Sequence, residues 1–115
     1  MELDHRKIFN FFALLPIGII GSSLRDIKQA RDYDVLVHAT VDFPALVKRL
    51  GLKYNGWDTP RGHIRRANLR IPGVSKPVQL ISHDRTKALI HHPHVVLLRD
   101  GTVLHPDKHF IKTGR

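Results

Sequence analysis

Asp32 and Asp34, separated by Tyr33 and followed by the apolar run Val35-Leu36-Val37, are the residues of this chain best suited to chemistry. In a strand, residues i and i+2 project from the same face, about 6–7 Å apart. Two carboxylates so placed can grip a divalent ion, or a pair of ions about 3.5–4 Å apart, for an in-line phosphoryl-type displacement. Upstream, an apolar run over residues 17–20 ends in Gly21-Ser22-Ser23. Glycine and two small hydroxyl residues at a helix start leave backbone N–H groups and a positive dipole end for phosphate. Arg25 lies nearest that end and is the best side chain for a triphosphate contact. Lys28 and Arg31 fit a solvated outer face equally well. An anion site and a metal site, joined by one helix over residues 23–31, imply a nucleotide. Each motif also has a plainer reading: Ser23 and Asp26 fit a capping box, and Asp-x-Asp pairs arise by chance on strand ends. Their order and spacing together carry the argument.

The elements that must position these residues follow from periodicity and punctuation. Ile8, Phe11, Phe12 and Leu15 have the spacing of a helix burying one face, with Asp4 as its N-cap and Pro16 as its stop. A strand to Ile20, the helix over 23–31 and a strand over 33–38 come next. Asp42 caps a second helix with Pro44 in its first turn, Phe43, Leu46, Val47 and Leu50 facing inward, and Gly51 as its end. A loop containing Asn55-Gly56 and Thr59-Pro60-Arg61-Gly62 leads to a hairpin that turns at Pro72-Gly73. Asp100-Gly101 marks a tight turn between residues 95–98 and 102–104. The order αβαβα followed by hairpins predicts one α+β domain spanning residues 1–115, a mixed sheet backed by helices on one side.

Composition narrows the partners. Nineteen Lys and Arg against ten Asp and Glu leave a formal charge of +9 and a pI near 10.5. That balance favours a polyanion such as RNA or DNA, because each cation meeting a phosphate releases condensed counterions; solubility is the plainer account. Arg61, Arg65, Arg66, Arg70 and Lys76 fall on the expected hairpin, and Lys108, Lys112 and Arg115 on the tail. Arg65-Arg66 in a strand splits between its two faces. With no cysteine, disulfides, thiolate zinc sites and Cys nucleophiles are excluded. The apolar stretch over residues 8–20 contains Asn10 and Pro16 and is too short to span a bilayer. The charged residues before it, with no cleavage site after it, argue against a signal peptide, so a cytoplasmic protein without a membrane partner is expected. His91, His92 and His94 lack a spaced carboxylate and read as solvated imidazoles around Pro93. Trp57 and Tyr54 fit either base stacking or a cover for the second helix.

The arrangement Ile20-Gly21-Ser22, a helix of about ten residues, then Asp32-Tyr33-Asp34, resembles the nucleotidyltransferase superfamily that includes DNA polymerase β, CCA-adding enzymes, poly(A) polymerases and minimal nucleotidyltransferases. Residues 62–83 look like the hairpin whose second strand carries the family's third carboxylate. Residues 95–106 look similar to the terminal hairpin of CCA-adding and poly(A) polymerase head domains. The resemblance covers about residues 8–106 and implies the nucleotidyltransferase fold. It implies transfer of a nucleoside monophosphate from an NTP to a hydroxyl acceptor, with release of pyrophosphate. Mg²⁺ or Mn²⁺ would sit on Asp32 and Asp34, and the nucleotide's phosphates on Gly21, Ser22 and Ser23. The acceptor would be a nucleic-acid 3′ end, which suits the charge, or a partner protein. One departure stands out: the third acidic position falls on Gln79, in Val78-Gln79-Leu80-Ile81, with Asp84 a few residues on. An amide can hold a metal-bound water or an incoming hydroxyl, but it is a poor base and a weak ligand. Three readings follow: a two-carboxylate enzyme, a binding module emptied of catalysis, and a subunit of a larger assembly. Without the helical domains of the large family members, the chain is expected to complete its site as a homodimer or with a second protein.

Overall fold

The computed structural model describes residues 1–59, 62–83 and 95–104. Arg61, Asp84, His91, His92, His94, Lys108, Lys112 and Arg115 lie outside those residues. In chain order the elements are α1 (Leu3–Phe11), β1 (Ile17–Ile20), β2 (Tyr33–Val37), α2 (Phe43–Arg49), β3 (Tyr54–Thr59), β4 (Gly62–Leu69), β5 (Val78–His83), β6 (Val96–Leu97) and β7 (Val103–Leu104). The strands form one seven-stranded sheet in the order β3-β4-β5-β2-β1-β6-β7. Among the described residues only β2 and β5 run parallel; every other pair is antiparallel. Parallel neighbours need a crossover, and α2 with the β3–β4 hairpin supplies it. The result is the mixed α+β domain expected.

Both helices cover the same face. Ile8, Phe9 and Phe12 join Phe43, Leu46 and Val47 over Ile17, Ile19, Tyr33, Val35, Val37, Ala67, Leu69, Val78 and Leu80. The opposite face carries a smaller buried cluster, Ile20, Leu36, Ile81 and Val96, built from strands alone. β1 is buried along its whole length, as a strand flanked on both edges and covered on both faces must be. Among the described residues no helix is long and apolar enough to cross a membrane.

α2 forms as its residues dictate. The Asp42 carboxylate accepts from the Ala45 N–H at 3.1 Å, Pro44 sits in the first turn, and Gly51 ends the helix at φ +71°. The hairpin turns hold too: Gly73 and Gly101 take positive φ, and the Asp100 carboxylate accepts from the Thr102 N–H at 2.9 Å.

Three expectations are corrected. First, residues 23–31 are not a helix; a 3-10 turn at Ser22–Leu24 gives way to further turns. The Asp26 carboxylate accepts from the Lys28 and Gln29 N–H groups at 3.1 and 3.3 Å, a local bond that competes with the helical ladder. Lys76 donates its ammonium to the Ile27 carbonyl, removing another acceptor. Second, α1 buries His5, Ile8 and Phe9, with Phe12 buried just past its end, whereas Phe11 is 40 % exposed. The helix stops at Phe11, so Leu15 reaches the core from the following turn. Asp4 is no cap: Glu2 stands at the N-cap, and the Asp4 carboxylate accepts from the Tyr33 hydroxyl (2.6 Å) and the Ser75 hydroxyl (2.7 Å). Burial and this donation to Asp4 push the Tyr33 phenol up to about 12. Third, residues 54–59, expected as loop, are β3, zipped to β4 from Tyr54↔Ala67 to Thr59↔Gly62. Asn55 and Gly56 disfavour strand locally, and pairing with β4 outweighs that preference.

Candidate active site

β1 and β2 meet at Ile20↔Asp34, which brings the end of the first apolar run against the acidic strand. Gly21, the next residue, has φ +87° and ψ −161°, a conformation essentially restricted to glycine. A Cβ there would overlap the Asp34 carboxylate and lie 3.2 Å from its Cγ. Glycine is therefore required twice, for its dihedrals and for the close approach of Asp34. The 3-10 turn begins immediately, with the Leu24 N–H bonded to the Gly21 carbonyl at 3.2 Å. Among the described turn bonds none is donated by the Ser22 or Ser23 N–H group.

The parallel register of β2 and β5 places Gln79 directly beside Asp34. The antiparallel register of β5 and β4 then places Asn68 beside Gln79. Ile20, Asp34, Gln79 and Asn68 form one row across four strands, on the face away from the helices. The next row holds Leu36, Ile81, Arg66 and Asn55. Burial raises the Asp34 carboxyl above the usual carboxylate range, the Asp32 charge raises it further, and Arg66 opposes both. Two carboxylates thus repel each other where solvent screens poorly, an arrangement that a cation would relieve. Among the described residues no three His, Cys, Asp or Glu side chains gather as a metal site, in keeping with the amide at Gln79.

The remaining residues divide. Ser22 and Arg25 are exposed at the turn, whereas Ser23 is buried and its hydroxyl lies 3.1 Å from His5 Nε2. Ser23 thus anchors α1 with its side chain, which leaves only its backbone to the turn. Lys76 is committed internally, with its ammonium on Ile27 and 5.7 Å from the Tyr33 ring. Arg65 lies opposite Gly56 and Ser82 on the helix-facing side, while Arg66 points to the carboxylate side. Arg70 is exposed beyond the end of β4. Of the described cations on the hairpin, Arg66 alone acts on Asp34. The aromatic pair also separates: the Tyr54 ring packs edge-on against Phe43 of α2 at 5.7 Å, and Trp57 stays 40 % exposed with Arg66 at 5.2 Å from its ring centre.

Asn68 and the pairing of Arg66 with Trp57 escaped the sequence reading. The period-2 run Ile64-Arg65-Arg66-Ala67-Asn68-Leu69 holds the signal for one face, but its partner β3 reads locally as loop through Asn55-Gly56. No family model matches the chain, and no curated protein matches its sequence.

Proposed function

We propose that the chain is a metal-dependent nucleotidyltransferase, moving a nucleoside monophosphate from an NTP to the hydroxyl of an acceptor, a nucleic acid by its charge. The observation that carries this reading is the contact between the Gly21 turn and Asp34, with Gln79 in register beside it. The donor set fits Mg²⁺ or Mn²⁺: two carboxylates and an amide oxygen are hard ligands, and one or two carboxylates plus substrate phosphates suffice for Mg²⁺. Asp32 and Asp34 would hold the ion, which when bound neutralises phosphate charge and acidifies the attacking hydroxyl.

The chain's own groups do the rest. The Ser22 and Ser23 N–H groups bind phosphate oxygens, and Arg25 at the exposed end of the turn adds charge to that grip. Gln79 orients the acceptor hydroxyl through its amide oxygen but takes no proton from it. Arg66 offsets part of the negative charge that gathers as acceptor and phosphate meet. Loss of the third carboxylate favours a second reading, nucleotide binding without turnover.

Transfer of label from an α-labelled NTP, with Mg²⁺ or Mn²⁺ and mixed cellular RNA and protein, separates the two. Asp32→Ala and Asp34→Ala should each abolish transfer, and Gln79→Asp should change the rate at least several-fold by adding a charge and a base beside the hydroxyl. Wild-type binding of NTP without any transfer selects the second reading. Transfer that survives loss of both aspartates removes the site.

A further inference from the structure

Trp57 is the chain's single tryptophan, and it stands on the same face of the sheet as Asp34. The row order makes this plain. Trp57 is opposite Ile64, Arg66 is two residues along the same strand face, and Arg66 is opposite Ile81, itself beside Leu36. A large ring left 40 % exposed on a β-sheet, with a guanidinium at 5.2 Å, is a flat cationic platform rather than a core residue. Asn55 and Asn68, both exposed on this face, flank Arg66 with amide donors and acceptors. Tyr54, equally exposed, lies on the other face of the strand with its ring edge-on to Phe43 of α2.

We propose that Trp57 and Arg66 form a stacking platform for an unpaired base of a single-stranded nucleic acid, a few nucleotides back from the hydroxyl that reacts beside Asp34. The placement of the reacting end rests on the function proposed above. Stacking on an aromatic ring suits unpaired bases, because a duplex presents no open base face away from its ends. The net charge of +9 and the Arg66 guanidinium complement the phosphates of such a strand. Distance decides against the incoming nucleotide as occupant. Strand spacing and rise put Trp57 roughly 15–20 Å from Asp34. The base of an NTP whose phosphates lie on the Gly21 turn falls well short of that ring. An acceptor strand whose stacked bases advance about 3.4 Å each reaches it within several nucleotides.

The test uses the full chain, without NTP or metal, and reads the fluorescence of Trp57 directly. Unstructured RNA and DNA oligonucleotides of the same sequence, the corresponding duplex, and free NTP are titrated at low salt. Quenching by either single strand supports the platform, and the tighter of the two names the natural source. Anisotropy of a labelled strand then follows variants whose fold is checked by circular dichroism. Trp57→Ala should weaken binding about tenfold, Trp57→Phe should retain most of it, and Arg66→Gln should weaken it with a shallower salt dependence. Unchanged Trp57 fluorescence while the labelled strand binds would overturn the proposal. So would equal binding by Trp57→Ala, equal quenching by duplex or free NTP, or no strand binding at low salt. Failure here leaves NTP-dependent label transfer untouched, whereas loss of transfer with quenching intact removes the reaction and keeps the platform.

Discussion

At the scale of single residues, the site depends on one backbone conformation. Gly21 permits both the sharp entry into the 3-10 turn and the contact with Asp34. Gly21→Ala should lower stability by about 1–3 kcal/mol from backbone strain and push Asp34 from its place. We expect a fall in Tm together with loss of NTP binding. Ser22→Ala should leave Tm unchanged, since its exposed hydroxyl holds nothing in the fold and its N–H remains. Equal melting of Gly21→Ala and the wild type would separate the turn from the site. Asp34 and Gln79 complement this logic: neighbours in register, one a carboxyl raised by burial and by Asp32, the other an amide that adds no further repulsion.

At the scale of elements, α1 is docked by polar bonds as well as by its apolar stripe. The His5 ring lies 3.1 Å from the Ser23 hydroxyl and edge-on to Tyr33 at 5.5 Å. Burial lowers the His5 pKa, and the nearby Glu2 and Asp4 charges only partly oppose it. The folded pKa is thus below the unfolded value of about 6.5. This contribution to stability is fully present above that value and is lost as pH falls through it toward the folded pKa. Thermal melts from pH 7.5 to pH 5 should therefore show stability falling with acid, and His5→Gln should flatten that slope. An unaltered slope would place the acid sensitivity among the other histidines. Arg99 secures the far end of the same helix, donating to the Phe9 and Leu15 carbonyls at 2.6 and 3.3 Å. The Phe9 carbonyl is an end-of-helix acceptor that the helix itself cannot satisfy, and Leu15 belongs to the turn that follows.

Across the whole molecule, the face away from the helices gathers the carboxylates, Gln79, Asn68, Arg66 and Trp57, while the chain as a whole is strongly basic. Charge reversal should accordingly depend on the side of the sheet. Arg66→Glu should weaken single-strand binding by at least severalfold, regardless of base sequence, and reduce its salt dependence. Arg65→Glu, on the helix-facing side, should do distinctly less. Affinities measured from 50 to 200 mM salt check both, and equal effects would mean that the polyanion does not favour this face.

What could be read from residue order was local, because its causes lie within a few residues. Asp42 and Gly51 bound a helix, Asp100-Gly101 and Pro72-Gly73 turn hairpins, and the apolar runs before Gly21 and after Asp34 are central strands. The Gly21 turn and Asp34 do meet, but through the antiparallel pairing of β1 with β2 rather than through the expected helix. Contacts between distant residues settled the rest. Lys76, 49 positions from Ile27, helps keep the stretch after Leu24 from becoming a helix. Asp4 abandons a cap for Tyr33 and Ser75, the latter 71 positions away. The strand at Tyr54–Thr59 exists because β4 offers it a partner. Register is likewise a property of the assembled sheet: a slip of one residue would carry Arg66, Gln79 and Asp34 to opposite faces. Local propensity differs by a few tenths of a kcal/mol per residue, so burial and strand pairing override it wherever the two disagree.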